Sequence, residues 1–374
     1  MEKSKLIEKA KRIVIKIGSQ ILEKDNDIDT DFIKDLANQI KKYPDKEFII
    51  VSSGAVLAGV KKLKLPSKPK TITEKQAVAS VGQAYLMQIY DKIFSEKDLI
   101  IGQMLLTIEG LQERKRYLYA KETLNKLLEY KVIPIINEND AIAVEEIVFG
   151  DNDYLSSHVS VLADADLLII ISTAGGLYTD DPSSPNAQLI KEVFDVDSAL
   201  NYAKSSKSTF GTGGMRSKLE AAKIATSHSI PVMIVPKKSG IIDMVLNGQE
   251  VGTFIYPSKK KKMSGKKSWL ALLSHPKGRI VVDKGAEKAL KEGKSLLPSG
   301  VKEVEGIFNP KDTVAIVNEE NIVIGKGIIN LSYKDLKKIK GLKTKEASQI
   351  LGKDVEEVIH RDNLVIYWYW RKVC

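Results

Sequence analysis

"RIVIKIG" (residues 12–18) is an apolar run of strand length with one lysine, Lys16, standing inside it. A short, continuous run rich in β-branched residues reads as a strand buried on both faces. The same reading extends outward to "EFIIVSS" (47–53), "DLIIGQMLLT" (98–107), "VIPIIN" (132–137), "DLLIIIST" (166–173) and "PVMIVP" (231–236). Helical patterns lie between these runs, over 30–42, 73–95, 114–130, 153–164 and 214–229; the second carries Ala77, Val81, Tyr85 and Gln88 at turn-like spacing. Strands that are apolar throughout and alternate with helices predict an α/β fold, a mainly parallel central sheet with helices on both faces. In such sheets ligands gather at the carboxyl ends of the strands.

Those ends are small and polar. The first strand runs into Gly18-Ser19, the second into Ser52-Ser53-Gly54-Ala55, the fourth into Asn137-Glu138-Asn139-Asp140 and the fifth into Ser172-Thr173-Ala174-Gly175-Gly176. Each alone is an ordinary strand terminator. Brought to one sheet edge, they suit a carboxylate or a phosphate. Glycine lets backbone approach a ligand closely, and Ser-Gly-Ala ahead of a helix leaves N–H groups aimed at an anion.

A further glycine-rich stretch, "GTGGMRSK" (211–218), precedes the helical pattern LEAAKIATSH. It is not a Walker A loop, because Ser217 stands where that loop needs glycine before the lysine; nor is it a dinucleotide fingerprint, because Arg216 takes the place of the third glycine. By itself it is either a turn that starts a helix or a cradle of N–H groups with Lys218 at the helix opening, where the dipole favours an anion. Lys16 adds a constraint, since an ammonium inside an apolar strand is costly without an anion or carboxylate beside it. Asp151-Asn152-Asp153 opens the helical pattern at 153–164 and supplies one; capping needs a single such residue, and three exceed it. Two lysines from distant segments, a glycine loop and a carboxylate between them meet the needs of phosphoryl transfer.

Composition bounds the rest. The chain has 374 residues, 43% hydrophobic and 28% charged, and a net charge of +10 that is unevenly placed. Up to Pro257 there are 33 basic and 34 acidic residues, and beyond it 25 and 14, so the last third carries +11. The seam is "YPSKKKKMSGKKSW" (256–269), with six lysines between Lys259 and Lys267. It reads as a solvated linker or as the edge of a basic module able to attract a polyanion such as RNA. The apolar stretch free of charge at 167–179 is short of the ~20 residues a membrane helix needs, and MEKSKLIEKAKR at the N-terminus lacks the apolar region of a secretion signal. The expected location is cytoplasmic. With Cys374 the single cysteine and His158, His228, His275 and His360 far apart, neither an internal disulfide nor a metal site is expected.

Six segments, in this order, resemble the amino-acid kinase family: "IVIKIGS" (13–19), "VSSGAVLAG" (51–59), "IINENDAI" (135–142), "FGDNDYLSSHVSVLADADLLIIIS" (149–172), "GGLYTDDP" (175–182) and "GTGGMRSK". Within that family they are most similar to the glutamate 5-kinase branch, ahead of relatives acting on acetylglutamate, aspartate, carbamate or UMP. "KGRIVVDKGAEKALKEGKSLLPSGVKEVEGIF" (277–308) resembles a PUA domain, a small β-rich module also found in RNA-modifying enzymes. The resemblance implies a kinase domain over 1–257, a basic linker over 258–274 and a PUA-like β-rich barrel over 275–374.

It also implies ATP-dependent phosphorylation of the side-chain carboxylate of L-glutamate to L-glutamyl 5-phosphate, the first step of proline biosynthesis, with Mg²⁺ bridging the nucleotide phosphates. On matching positions Lys16 and Lys218 stabilise the phosphoryl group in flight and Asp153 orients them. Ser53, Gly54, Ala55, Asn137, Asp140, Asp151 and Asn152 fall on the glutamate site; Lys16, Ser172, Thr173, Thr212, Gly213, Gly214, Met215, Arg216, Ser217 and Lys218 fall on the ATP site. A carboxylate is already a nucleophile at pH 7, so no general base is implied. Further implications are a homo-oligomer (dimer or tetramer), feedback by proline and hand-over to glutamyl phosphate reductase.

Two positions depart from the family. Ser172-Thr173 stands where Thr-Asp is usual, which takes a carboxylate from beside the nucleotide, and Ser217 replaces the more usual threonine while keeping the hydroxyl. In the last third, "VAIVN" (314–318), "IVIGKGIIN" (322–330) and "NLVIYWYW" (363–370) read as strands punctuated by glycine. The basic charge there is compatible with RNA binding, and the closing aromatics read as core or as a stacking surface. The competing class is an RNA-associated PUA protein whose kinase-like domain serves as a sensor or scaffold. The intact Lys16, Asp153 and Lys218 set favours the enzyme.

Overall fold

The run at residue 12 forms strand β1 (Arg12–Ile17) inside an eight-stranded sheet. The structure is a computed structural model that describes residues 2–143, 152–202, 214–258 and 265–367. It divides into two units, one of Met1–Leu111 with Tyr117–Lys262 and one of Gln112–Arg116 with Met263–Cys374.

In the first unit the sheet also contains β2 (Glu47–Ser52), β3 (Ile100–Leu106), β4 (Val132–Glu138), β5 (Leu167–Ser172), β6 (Glu192–Val193), β7 (Val232–Pro236) and β8 (Thr253–Ile255). Their order is β6-β8-β7-β5-β1-β2-β4-β3. All neighbours are parallel except β7 and β8. β1 is flanked by β2 and β5, with Lys16 in register with Val51 and Ile170, so its side chains have no solvent face. Central position, not local propensity, is what makes the strand apolar on both sides.

Helices α1 (Thr30–Lys41), α2 (Ala55–Leu63), α3 (Ile72–Ser95), α4 (Arg114–Glu129), α5 (Asp153–Leu162) and α6 (Met215–Ser227) alternate with the strands. α3 begins with a capping box: the Thr71 hydroxyl accepts from the Glu74 N–H at 3.2 Å, and the Glu74 carboxylate accepts from the Thr71 N–H at 2.9 Å. Its buried face is one residue on from the expected spacing. Val78, Gly82, Leu86 and Tyr90 face the core, whereas Ala77 and Gln88 are exposed. The shift has a steric cause at Gly82, where a Cβ would lie 1.8 Å from the Ala55 carbonyl oxygen; at Gly59 one would lie 2.0 Å from that of Val78. Two helices can touch backbone to backbone only where neither carries a side chain, so these glycines select the contact face.

In the second unit, β9 (Gly278–Val282), β10 (Val301–Gly306), β11 (Thr313–Val317), β12 (Val323–Ile328) and β13 (Leu364–Ile366) form a five-stranded sheet in the order β10-β9-β11-β12-β13. β9 and β11 are parallel and the other neighbours antiparallel. Its core is built on Ile280, Leu290, Phe308, Ile316, Leu336 and Val358. Of the stretch expected as a basic linker, residues 259–264 lie outside the described residues, and Gly265–Leu272 is a helix with Trp269 and Leu270 buried. No helix among the described residues is long and apolar enough to cross a membrane.

Candidate active site

Lys16 is 1% exposed, and its Nζ lies 2.6 Å from Oδ1 of Asp153, the first residue of α5. The other carboxylate oxygen is 3.1 Å from Nζ of Lys218, in the first turn of α6, and accepts a 2.8 Å hydrogen bond from the Ser217 hydroxyl. Ser217 Oγ also lies 2.8 Å from the Gly214 carbonyl, so its one proton is shared between the two acceptors and its rotamer is tied to the helix start. One fully buried carboxylate therefore joins two buried ammonium groups. Removing charges from water costs several kcal/mol per ion, and a second anion in contact with both lysines would offset part of that cost. The sequence brings three segments far apart in the chain to this point because β1, α5 and α6 all present their ends at one edge of the sheet.

Three helix openings surround the cluster without side-chain caps: Gly54 before α2, Asn152 before α5 and Gly214 before α6. Gly54 has φ +106°, a backbone that glycine tolerates and that turns the chain directly from β2 into α2. Uncapped N–H groups at helix starts favour an anion. Asn152, one of the residues expected as a cap, stands at the cap position without capping. The two hydrogens of its Nδ2 are instead shared among Asn137 Oδ1 at 2.7 Å, Ser53 Oγ at 3.1 Å and the Ser52 carbonyl at 3.4 Å. Asn137 in turn donates to Gln83 Oε1 at 2.7 Å. Thus Ser53, Asn137 and Asn152 form one buried polar cluster beside the ion pairs, with Gly54 and Ala55 at its edge.

Asp140 is half-buried just beyond β4. Loss of solvation, reinforced by the nearby Glu138 carboxylate, pushes its carboxyl up to about 7. Buried Tyr90 places its hydroxyl 3.0 Å from Ser52 Oγ, and that Oγ lies 3.0 Å from the Ser53 carbonyl, so α3 steadies the loop ahead of α2. Ser172 is buried at the end of β5 and Thr173 is exposed next to it. Arg216 turns along its own helix to Glu220, 3.0 Å away, and Glu220 also accepts from the Tyr154 hydroxyl. Asp151, Thr212 and Gly213 lie outside the described residues. His158 and His228 are buried; desolvation, reinforced by His228, lowers His158 to about 4, so it is neutral at pH 7. Among the described residues no group of three or more His, Cys, Asp or Glu side chains could hold a metal ion.

Gln83, Tyr90, Tyr154 and Glu220 were not singled out from the sequence. Tyr154 and Glu220 lie close in sequence to Asp153 and Lys218, on helices whose openings the sequence marks, whereas Tyr90 has no such signal. Gln83 had a faint signal in its neighbour Gly82, a glycine inside a helical pattern, which marks close backbone approach.

The chain matches the amino acid kinase family over residues 11–236 and the PUA domain over residues 278–351. It is 52% identical to the glutamate 5-kinase of Aquifex aeolicus over 362 residues, which are 95% of this chain and 99% of that protein. It is 48% identical to the glutamate 5-kinase of Carboxydothermus hydrogenoformans over 371 residues, 96% of this chain and 99% of the relative. With the glutamate 5-kinase of Thermus thermophilus the identity is 42% over 363 residues, 96% and 97% of the two chains.

Proposed function

The chain belongs to the amino acid kinase family, and from that premise we propose that it transfers the γ-phosphoryl group of ATP to the side-chain carboxylate of L-glutamate. The product is L-glutamyl 5-phosphate, and the reaction is the first step of proline biosynthesis. The observation that carries the reading is the carboxylate of Asp153 held between Lys16 and Lys218, at 2.6 and 3.1 Å. Near-full-length relatives named glutamate 5-kinase support the substrate.

In this reaction an oxygen of the glutamate side chain forms a bond to the γ-phosphorus while the bond to the bridging oxygen breaks, and ADP leaves with that electron pair. The nucleotide is taken as its Mg²⁺ complex, the ion being part of the substrate. Charge spreads over the transferring group, and Lys16 and Lys218 meet it with two ammonium groups. Asp153 fixes both in place before the nucleotide arrives, so little reorganisation is needed in the transition state. Ser53, Gly54, Ala55, Asn137, Asp140 and Asn152 hold glutamate, and the start of α6 with Ser172 and Thr173 holds ATP. Because the nucleophile is ionised at pH 7, the rate depends on positioning and charge neutralisation. The same proposal includes a homo-oligomeric assembly, restraint by proline and delivery of the water-sensitive acyl phosphate to glutamyl phosphate reductase.

Incubation with ATP, Mg²⁺, L-glutamate and hydroxylamine should give the γ-hydroxamate, with N-acetylglutamate and aspartate as poor substitutes. No product from glutamate, or faster turnover of either substitute, would overturn the assignment.

A further inference from the structure

The polarity of each carboxamide in the substrate cluster follows from backbone groups whose roles are fixed. The Glu138 N–H can only donate, so the Asn137 atom 2.9 Å from it is Oδ1. Asn137 Nδ2 therefore faces Gln83, which must offer Oε1, 2.7 Å away; turned the other way, it would set donor against donor. The Ser52 carbonyl and Asn137 Oδ1 only accept, so the nitrogen of Asn152 faces both. What remains is Asn152 Oδ1, a buried acceptor with no hydrogen-bond partner among the described residues, on a residue that is 0% exposed. A buried acceptor in that state is costly until a donor reaches it.

We propose that Gln83 is a positioning residue for substrate recognition. Its Oε1 holds Asn137, and through Asn137 it holds the Asn152 carboxamide with Oδ1 kept for the ammonium group of the amino-acid substrate. The inference rests on the glutamate kinase reading above. Gln83 is well placed for this because its neighbour Gly82 touches the Ala55 carbonyl, where a Cβ would come within 1.8 Å. That contact clamps α3 onto the first residue of α2, so the side chain of Gln83 enters the cluster with little slack. Gln83 touches no reacting atom, and its influence passes through two carboxamides.

The test compares L-glutamate with glutarate, the same dicarboxylate without the amino group, in the hydroxamate assay on the full chain, using Gln83→Leu and Gln83→Glu. Leucine removes the acceptor, while glutamate keeps an oxygen at the same reach. Gln83→Leu should lower the preference for L-glutamate over glutarate in kcat/KM by about tenfold, the effect of one disturbed buried hydrogen bond, with the KM for ATP unmoved. Gln83→Glu should keep the preference at or above that of the unmodified protein. As a readout independent of turnover, the rise in melting midpoint produced by L-glutamate should be smaller in Gln83→Leu and kept in Gln83→Glu. An unchanged preference in Gln83→Leu, or an equal fall in both variants, overturns the role of Gln83. Absence of hydroxamate from L-glutamate with the unmodified protein instead removes the proposed function, and this role with it.

Discussion

Replacing Asp153 with asparagine tests the site at its centre. The side chain keeps its shape and loses its charge, leaving Lys16 and Lys218, 1% and 6% exposed, without their shared counterion. Removing one partner of a buried ion pair costs about 3–5 kcal/mol, because the remaining charge stays desolvated. At roughly 2–4 °C per kcal/mol for a domain of this size, the melting midpoint of the first unit should fall by about 10 °C. The same change takes one negative charge from beside the two lysines, so a polyphosphate should recover more stability in the variant than in the parent. Turnover should drop by about 10²–10³-fold, as when one preorganised electrostatic group is removed from an active site. The assay is thermal melting with and without MgATP, followed by hydroxamate formation on the same preparations. A parental midpoint in Asp153→Asn, or an equal gain from MgATP in both proteins, would refute the view that the lysines are held for an incoming anion.

Lys218→Ala should lower turnover by about 10²-fold or more, while the fold survives, because Asp153 keeps its pair with Lys16; near-parental hydroxamate formation would reject the role given to that lysine. Gly82→Ala should destabilise the first unit by about 1–3 kcal/mol, since the new methyl meets the Ala55 carbonyl and must push α2 from α3; an unchanged urea midpoint would show that the helices separate freely. For His158, the folded state holds the ring neutral with its proton affinity lowered to about 4, below the ordinary 6.5. The unfolded chain therefore binds more protons between those values, and stability is lost as pH falls from 6.5 through 4, at up to about 1.4 kcal/mol per pH unit. Melting midpoints from pH 7.5 to 4.5 should fall less steeply in His158→Gln than in the parent, and parallel profiles would contradict this.

Much of the first unit was legible in the chain because its strands sit in the middle of a covered sheet. Burial on both faces forces continuous apolar runs, so β1, β2, β4, β5 and β7 stand out to within a residue or two. Lys16 was legible for the complementary reason: a charge inside such a run is too costly to be accidental, and it calls for a carboxylate. β6 and β8, at two and three residues, carry no period to read and exist only through their neighbours. In α3 the turn-like spacing was visible but its buried side was not, since a helix can present several faces and the backbone contact at Gly82 chose one.

The sequence by itself determined the alternation of strands and helices, the polar strand ends and the lysines and carboxylate that phosphoryl transfer requires, because each is set by local burial and charge. Tertiary structure decided how those groups are wired. Asn152 reads locally as a helix cap, yet acceptors on β2 and β4 take its amide nitrogen. Glu220 pairs locally with Arg216 one turn away on the same helix, yet it also takes the Tyr154 hydroxyl, which arrives from α5. Gln83 carries only the faint mark of its neighbour Gly82 until α3 is laid across α2. Hydrogen-bond polarity depends on which partner arrives from elsewhere in the chain, and that is settled only when the strands and helices pack.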